Sequence, residues 1–158
     1  MKKYLLLSAI ILGIITVANA QTKKFKFSAG GGIASYTAGT GGKSTMGFGI
    51  DIIGKTDISE NFEGYIQAGY NTFSSDGGSW GIIPVLVGAN FKAGNFKPGL
   101  GIGYGNLTAG SGGVGGFAIS PQIGYGFEKI DLVASYTNIS VSDNYSLKVF
   151  GLKLFYNF

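Results

Sequence analysis

The feature that most constrains this chain is an alternation, at every second position, of large apolar residues with small or polar ones. It is clear in residues 46–52 (MGFGIDI), 100–105 (LGIGYG), 117–127 (FAISPQIGYGF) and 150–158 (FGLKLFYNF). Because successive side chains of a β-strand point to opposite faces, this pattern predicts strands with one apolar and one small or polar face. No stretch shows a comparable period of 3.6 residues, so the sequence predicts an all-β fold.

Eight segments carry the alternation, and they lie at 24–36, 44–56, 62–73, 81–93, 96–108, 116–128, 130–140 and 145–158. Loops containing glycine, serine or aspartate, at 37–43, 74–79, 109–115 and 141–144, alternate with short turns at 57–61, 94–95 and 128–130. An even number of antiparallel strands with short turns at one end and longer loops at the other is typical of outer-membrane barrels. We therefore predict an eight-stranded antiparallel up-and-down transmembrane β-barrel.

The residues opposite the apolar stripes distinguish this barrel from a soluble sandwich. They are Gly47, Gly49, Gly101, Gly103, Ala118, Ser120, Gln122, Gly124 and Gly126. A strand facing water would carry Lys, Glu and Thr there, because glycine weakens strands and has no side chain to pack. Small residues fit the narrow lumen of an eight-stranded barrel, so we expect the apolar set to face lipid.

Few polar side chains remain for the lumen, and each needs a partner there because burying an unpaired charge is costly. The candidates are Asp51, Glu63, Gln67, Asn71, Asn90, Lys92, Gln122 and Lys153. We predict a polar network in which Glu63 and Asp51 meet Lys92 and Lys153, with Gln67 and Gln122 beside them, and which closes the interior. The alternative is a wet lumen with weakly paired charges.

Aromatic residues cluster near both ends of the predicted strands, as two membrane–water interfaces favour. One predicted belt, beside the short turns, contains Phe25, Phe27, Phe62, Phe91, Phe96, Phe127, Tyr156 and Phe158. The other, beside the longer loops, contains Tyr36, Tyr70, Phe73, Trp80, Tyr104, Tyr136 and Tyr145. Pro84, Pro98 and Pro121 fall inside predicted strands, where proline removes a ladder donor, so we expect bulges or strand starts there.

Residues 1–20 (MKKYLLLSAIILGIITVANA) have the layout of a signal peptide. Lys2 and Lys3 precede an apolar run that ends before the small-residue pattern Ala18-Asn19-Ala20. The alternative, a membrane-spanning anchor, needs about 20 apolar residues. We predict cleavage after Ala20 and a single barrel domain at 21–158, whose formal net charge is +2 instead of +4.

The composition excludes several kinds of chemistry. The chain has no histidine and no cysteine, and all twelve of its basic residues are lysines. His-activated nucleophiles and thiolate–imidazole metal sites are therefore absent, which argues against a barrel enzyme. With no basic stripe and an export signal, we expect no nucleic-acid partner. Residues 110–115 (GSGGVG) match the G-x-G-x-x-G motif, but a strand follows them instead of a helix, so we interpret them as a loop and predict no cofactor.

Two motifs resemble those of known barrel families. The closing run, with Phe150, Leu152, Leu154, Tyr156 and Phe158 on one face, is similar to the C-terminal assembly signal of outer-membrane barrels. Residues 83–91 (IPVLVGANF) and 96–105 (FKPGLGIGYG) resemble the middle hairpin of the outer membrane protein beta-barrel domain family. The resemblance implies an OmpA/OmpX-like barrel, without a periplasmic domain, that the barrel-assembly machinery inserts into the outer-membrane lipid. It brings no catalytic residues.

These observations predict a monomeric, non-enzymatic barrel of the bacterial outer membrane with a mostly filled lumen. Its role would be structural or one of surface interaction. Three alternatives stay open: a small passive pore or carrier for small solutes, a barrel enzyme, and a soluble exported barrel. Because eight strands normally leave a filled interior, the pore depends on whether the glycine-rich lumen is wider than usual.

Overall fold

A computed structural model describes residues 25–38, 44–75, 78–109, 112–142 and 145–158 of the chain. They form eight strands, which confirms the predicted count and order. The strands are β1 (Lys26–Ala38), β2 (Ser44–Asp57), β3 (Phe62–Ser75), β4 (Gly78–Phe91), β5 (Phe96–Ala109), β6 (Gly112–Phe127), β7 (Ile130–Ser142) and β8 (Tyr145–Asn157). The predicted signal peptide and its cleavage site lie outside the described residues.

The eight strands form a closed, antiparallel barrel in which each strand pairs with its neighbours in sequence. Closure comes from β1 and β8, which pair from Ser28 opposite Asn157 to Ala38 opposite Leu147. The start of β1, the end of β8 and the connections at 58–61, 92–95 and 128–129 lie at one end, called here the turn end; the opposite end is the loop end. Among the described residues, no helix is long and apolar enough to span a membrane.

The alternation of the sequence appears in the fold as an inward and an outward face. On β2, for example, Phe48, Ile50 and Ile52 are exposed. Asp51, between the two isoleucines, and Ile53, next after Ile52, are buried. The same outward apolar band continues around the barrel, and the glycines opposite it face the lumen. Large apolar side chains that face out from every strand are what a lipid-embedded barrel requires.

The prolines interrupt the hydrogen-bond ladder without shifting it. The β3–β4 ladder lacks pairs beside Pro84, and the β6–β7 ladder lacks pairs beside Pro121, yet the register is the same on both sides of each gap. Neither proline marks a bulge or begins its strand, so the expectation of bulges or strand starts is wrong at Pro84 and Pro121. Pro98 is the third residue of β5, close to the start of that strand. Within the described strands the register shifts at Ser140/Ser142, next to the β7–β8 connection. The ladder on the other side of each proline continues, because a strand residue directs its N–H and C=O to the same neighbour and the missing N–H therefore affects one ladder only.

Candidate functional site in the barrel interior

The polar groups of the lumen cluster toward the turn end. Their centre is Asp131 on β7, which accepts hydrogen bonds from Lys55 Nζ at 2.6 Å and from Lys97 Nζ at 2.9 Å. The amide of Asn157 donates a third bond to the same carboxylate at 3.2 Å. Asp131 is 2 % exposed and Lys55 is 6 % exposed. A charge buried this deeply is tolerated when it is paired and hydrogen-bonded, as it is here.

A second polar layer lies nearer the middle of the barrel. Asp51 accepts a hydrogen bond from Lys153 Nζ on one carboxylate oxygen and from Gln67 Nε2, at 2.8 Å, on the other. All three side chains are buried. The structure thus brings together three of the residues that the sequence places in a lumen network.

Glu63 belongs to a separate chain of amides. Its carboxylate accepts a hydrogen bond from Asn90 Nδ2 at 3.3 Å, and Asn90 Oδ1 accepts one from Gln122 Nε2 at 2.8 Å. Glu63 is buried, but among the described residues no lysine forms an ion pair with it. Instead, Lys55 and Lys97 line the same small cavity as Glu63 while they bind Asp131.

The structure does not bring Lys92 into this network. β4 ends at Phe91, so Lys92 lies at the rim of the turn end, where its Nζ donates to Asp57 Oδ1 at 2.8 Å. Lys26 reaches the other oxygen of Asp57 at 3.5 Å. Lys26 is exposed, and Lys92 and Asp57 are partly exposed, so these are surface ion pairs of the kind that contribute little stability.

Two internal cavities of about 20 Å³ adjoin the polar layers. One is bordered by Asn71 and Lys153, the other by Glu63 and Tyr65. Each has a buried polar atom with no protein partner among the described residues: Asn71 Oδ1 in the first and the hydroxyl of Tyr65 in the second. A polar space of this size holds about one water molecule and is far too small for a drug-sized ligand.

Toward the loop end, the lumen is filled by apolar side chains. Its buried members are Ala34, Tyr36, Phe73, Ile82, Leu86, Ala118, Ile139, Leu147 and Val149. Trp80 packs against them, stacked on Phe73 with ring centroids 4.5 Å apart and edge-on to Tyr36 at 4.2 Å. We call this group the apolar plug.

The apolar plug corrects two expectations. The inward face is not uniformly small and polar, because its loop-side half is filled by large apolar residues. Tyr36, Phe73 and Trp80 also do not belong to the loop-side aromatic belt, since their side chains face the lumen. The remaining members of that belt, Tyr70, Tyr104, Tyr136 and Tyr145, are exposed as predicted, and so are all eight aromatics of the turn-side belt.

Several polar residues of the interior were missed at the sequence level. They are Ser28, Lys55, Lys97, Asp131 and Asn157. Position gives the signal for three of them. Lys55 has the same parity as Asp51 on β2, Lys97 the same parity as Gly101 on β5, and Asn157 the same parity as Lys153 on β8. The residues of the predicted assembly signal, from Phe150 to Phe158 at every second position, are all exposed on the outer face of β8 and just beyond it.

The closed, eight-stranded fold and its apolar outer face are those of the class of small outer-membrane β-barrels. Solved structures of that class are similar to the structure of this chain. Ail, the attachment invasion locus protein of Yersinia pestis, aligns with a TM-score of 0.61 and 15% identity, over 85% of this chain and 99% of that one. Neisserial surface protein A aligns with a TM-score of 0.55 and 15% identity, over 84% of this chain and 97% of that one.

The N-terminal β-barrel domain of Pseudomonas aeruginosa OprF is also similar, with a TM-score of 0.51 and 14% identity over 85% of this chain and 100% of that domain. No protein-family model matches the chain, and no curated protein sequence matches it either. At these identities the likeness shows the fold, which agrees with the OmpA/OmpX-like barrel that the sequence resemblance implied.

Proposed function

We propose that the chain is an integral barrel of the bacterial outer membrane with a filled lumen and a structural or surface-interaction role. The observation that carries the proposal is the apolar plug, which occupies the loop-side half of the lumen with side chains such as Ile82, Ile139 and Leu147, each at most 1 % exposed. Ions cross such a region poorly, because no polar group replaces their hydration. A surface role is in keeping with two of the neighbours, a neisserial surface protein and an attachment invasion locus protein.

Single-channel recording in a planar bilayer tests the filled lumen. We expect the purified, refolded protein to give no stable conductance steps. Ile139→Ala together with Leu147→Ala is a useful companion variant, because it enlarges the space inside the plug without adding charge. Stable steps from the unmodified protein would contradict the proposal and favour the small pore.

Membrane fractionation tests the location. We expect the protein to resist extraction by salt and carbonate, to require detergent, and to change its gel mobility on boiling, as a folded barrel does. Recovery in the soluble fraction without a mobility shift would contradict it and favour the soluble barrel.

Export and assembly form part of the same proposal. We propose that a signal peptide is removed after Ala20, and that the outward face of β8, ending at Phe158, is the segment that the assembly machinery recognises. Mass measurement of the membrane-extracted protein tests the first point, since cleavage leaves an N-terminal Gln21. Phe158→Ala tests the second: we expect less folded protein in cells but unchanged refolding of purified protein into detergent.

We propose no enzymatic activity for this barrel, and a monomer in which lipid surrounds the outer band. The lack of histidine and cysteine supports the first point, because the His-activated nucleophiles of barrel enzymes cannot be built from this composition.

A further inference from the structure

The seam between β1 and β8 closes the barrel. Toward the turn end the inward side of β1 is nearly bare, whereas Tyr36, nearer the loop end, belongs to the apolar plug. The inward positions of β1 include Ser28, Gly30, Gly32 and Ala34. At Gly32 a Cβ atom would lie 2.0 Å from the carbonyl oxygen of Leu152 and 2.7 Å from Lys153 Cα, so no larger residue fits. Side chains from the strands on either side of β1 can therefore reach one another over it.

Among the described residues, the two ion pairs whose side chains are both buried cross the seam. Lys153 on β8 binds Asp51 on β2, and Asp131 on β7 binds Lys55 on β2. Each pair thus joins β2 to a strand on the far side of the seam. In a sheet that has not closed, β2 and β8 lie near opposite edges, and these four charges have no access to one another.

Asn157, the last residue of β8, ties the same strands together at the turn end. Its Oδ1 accepts hydrogen bonds from Ser28 Oγ at 2.6 Å and from Lys55 Nζ at 3.0 Å, and its Nδ2 donates to Asp131. One amide therefore contacts β1, β2 and β7 at once. The backbone adds to this, because the amide of Phe158 donates to the carbonyl of Phe27 at 3.0 Å.

We propose that Ser28, Asp51, Lys55, Asp131, Lys153 and Asn157 form a closure lock, a set of side chains that becomes satisfied when β1 pairs with β8 and then holds the seam shut. A barrel with an open seam would leave buried charges unpaired, and an unpaired buried charge is strongly unfavourable. The lock therefore favours the closed barrel over open or partly paired sheets. This inference goes beyond the proposed function, because it concerns the final step of assembly and holds whether or not the barrel conducts.

The test compares two serines. Ser28→Ala removes one short hydrogen bond of the lock, while Ser120→Ala removes the 2.8 Å bond to Thr137 between β6 and β7, two strand pairs from the seam and outside the lock. Both serines are buried, at 2 % and 1 % exposure. We expect each variant to unfold faster in detergent, by about threefold to tenfold, and Asn157→Leu to unfold more than about tenfold faster.

Engineered disulfides then separate seam opening from general loss of stability, since the chain has no cysteine of its own. Ala29 and Ile130 are both register partners of Tyr156, on opposite sides of β8. Ala29→Cys with Tyr156→Cys crosslinks the seam, and Ile130→Cys with Tyr156→Cys crosslinks β7 to β8. Each disulfide is compared with its own reduced form.

We expect the seam disulfide to return the unfolding rates of Ser28→Ala and Asn157→Leu to within about twofold of the crosslinked parent, and to leave the defect of Ser120→Ala in place. The β7–β8 disulfide should restore none of them. The lock is disproved if the two disulfides restore Ser28→Ala equally, or if neither lock variant unfolds faster than the parent. Should Asn157→Leu fail to fold, Ser28→Ala alone decides the question.

Discussion

The side chain of Tyr65 on β3 lies across two glycines of the next two strands. Gly88 on β4 is its register partner, and Gly101 on β5 is the register partner of Gly88. A Cβ atom built at Gly101 would be 2.5 Å from the Tyr65 hydroxyl oxygen, and one built at Gly88 would be 2.6 Å from it. The tyrosine thus occupies the volume that two side chains would otherwise fill. Part of the glycine excess of this chain therefore makes room for large inward side chains from neighbouring strands.

Replacing Gly101 by alanine should destabilise the barrel. The added methyl group meets the hydroxyl oxygen of Tyr65, a buried side chain that has to shift, and overpacking of this kind costs about 1–3 kcal/mol. Gly124→Ala is the matched control, because Gly124 is also a buried lumen residue but its Cβ would lie no closer than 3.4 Å to a neighbour. Urea unfolding in lipid vesicles measures both. Equal effects of the two substitutions would contradict the packing explanation.

Tyr65→Phe tests whether the cavity beside Glu63 is hydrated. If a water molecule bridges the Tyr65 hydroxyl to its polar neighbours, removing the hydroxyl loses a hydrogen bond and lowers the free energy of unfolding by about 0.5–1.5 kcal/mol. If the hydroxyl is unsatisfied, its removal stabilises the protein. We expect destabilisation, measured by urea unfolding, with the outward-facing Tyr104→Phe as the control. A stabilised Tyr65→Phe variant would show that the cavity is dry.

The strand layout could be predicted from sequence because alternation with a period of two determines both the element and its faces. The eight strands, the short turns and the outward set from Phe48 to Phe158 follow from it. The strands extend beyond the predicted limits mainly at the loop end, for example to Ser75 on β3 and to Gly112 on β6. There the alternation fades into serine and glycine, although the hydrogen-bond ladder continues.

The contacts inside the lumen were harder to predict, because they depend on which side chains reach across an intervening strand. Lys153 meets Asp51 over β1, and Gln122 meets Asn90 over β5, where Gly99, the register partner of both, leaves space. Lys92 has the parity of an inward residue, but β4 ends one position earlier, and this places it at the rim. Parity alone would have assigned Tyr36 and Phe73 to the lumen.

Lys92 and Lys153 should differ sharply in their contribution to stability. Lys92→Ala removes a partly exposed ion pair at the rim, so we expect a change of no more than about 1 kcal/mol. Lys153→Met leaves Asp51 buried without its cation, which costs about 3–5 kcal/mol. Urea unfolding of both variants in the same vesicles makes the comparison. A large effect of Lys92→Ala, or a negligible one of Lys153→Met, would contradict the contacts described here.

An arginine scan along the outer face tests its contact with lipid. Ile102 lies in the middle of β5 and Phe127 is the last residue of β6, and both side chains are exposed. In a bilayer, arginine costs about 2–4 kcal/mol at the midplane and about 0–1 kcal/mol near an interface. We therefore expect Ile102→Arg to lower the free energy of unfolding in vesicles far more than Phe127→Arg. Comparable, small costs at both positions would mean that water covers the apolar band, and the membrane assignment would fail.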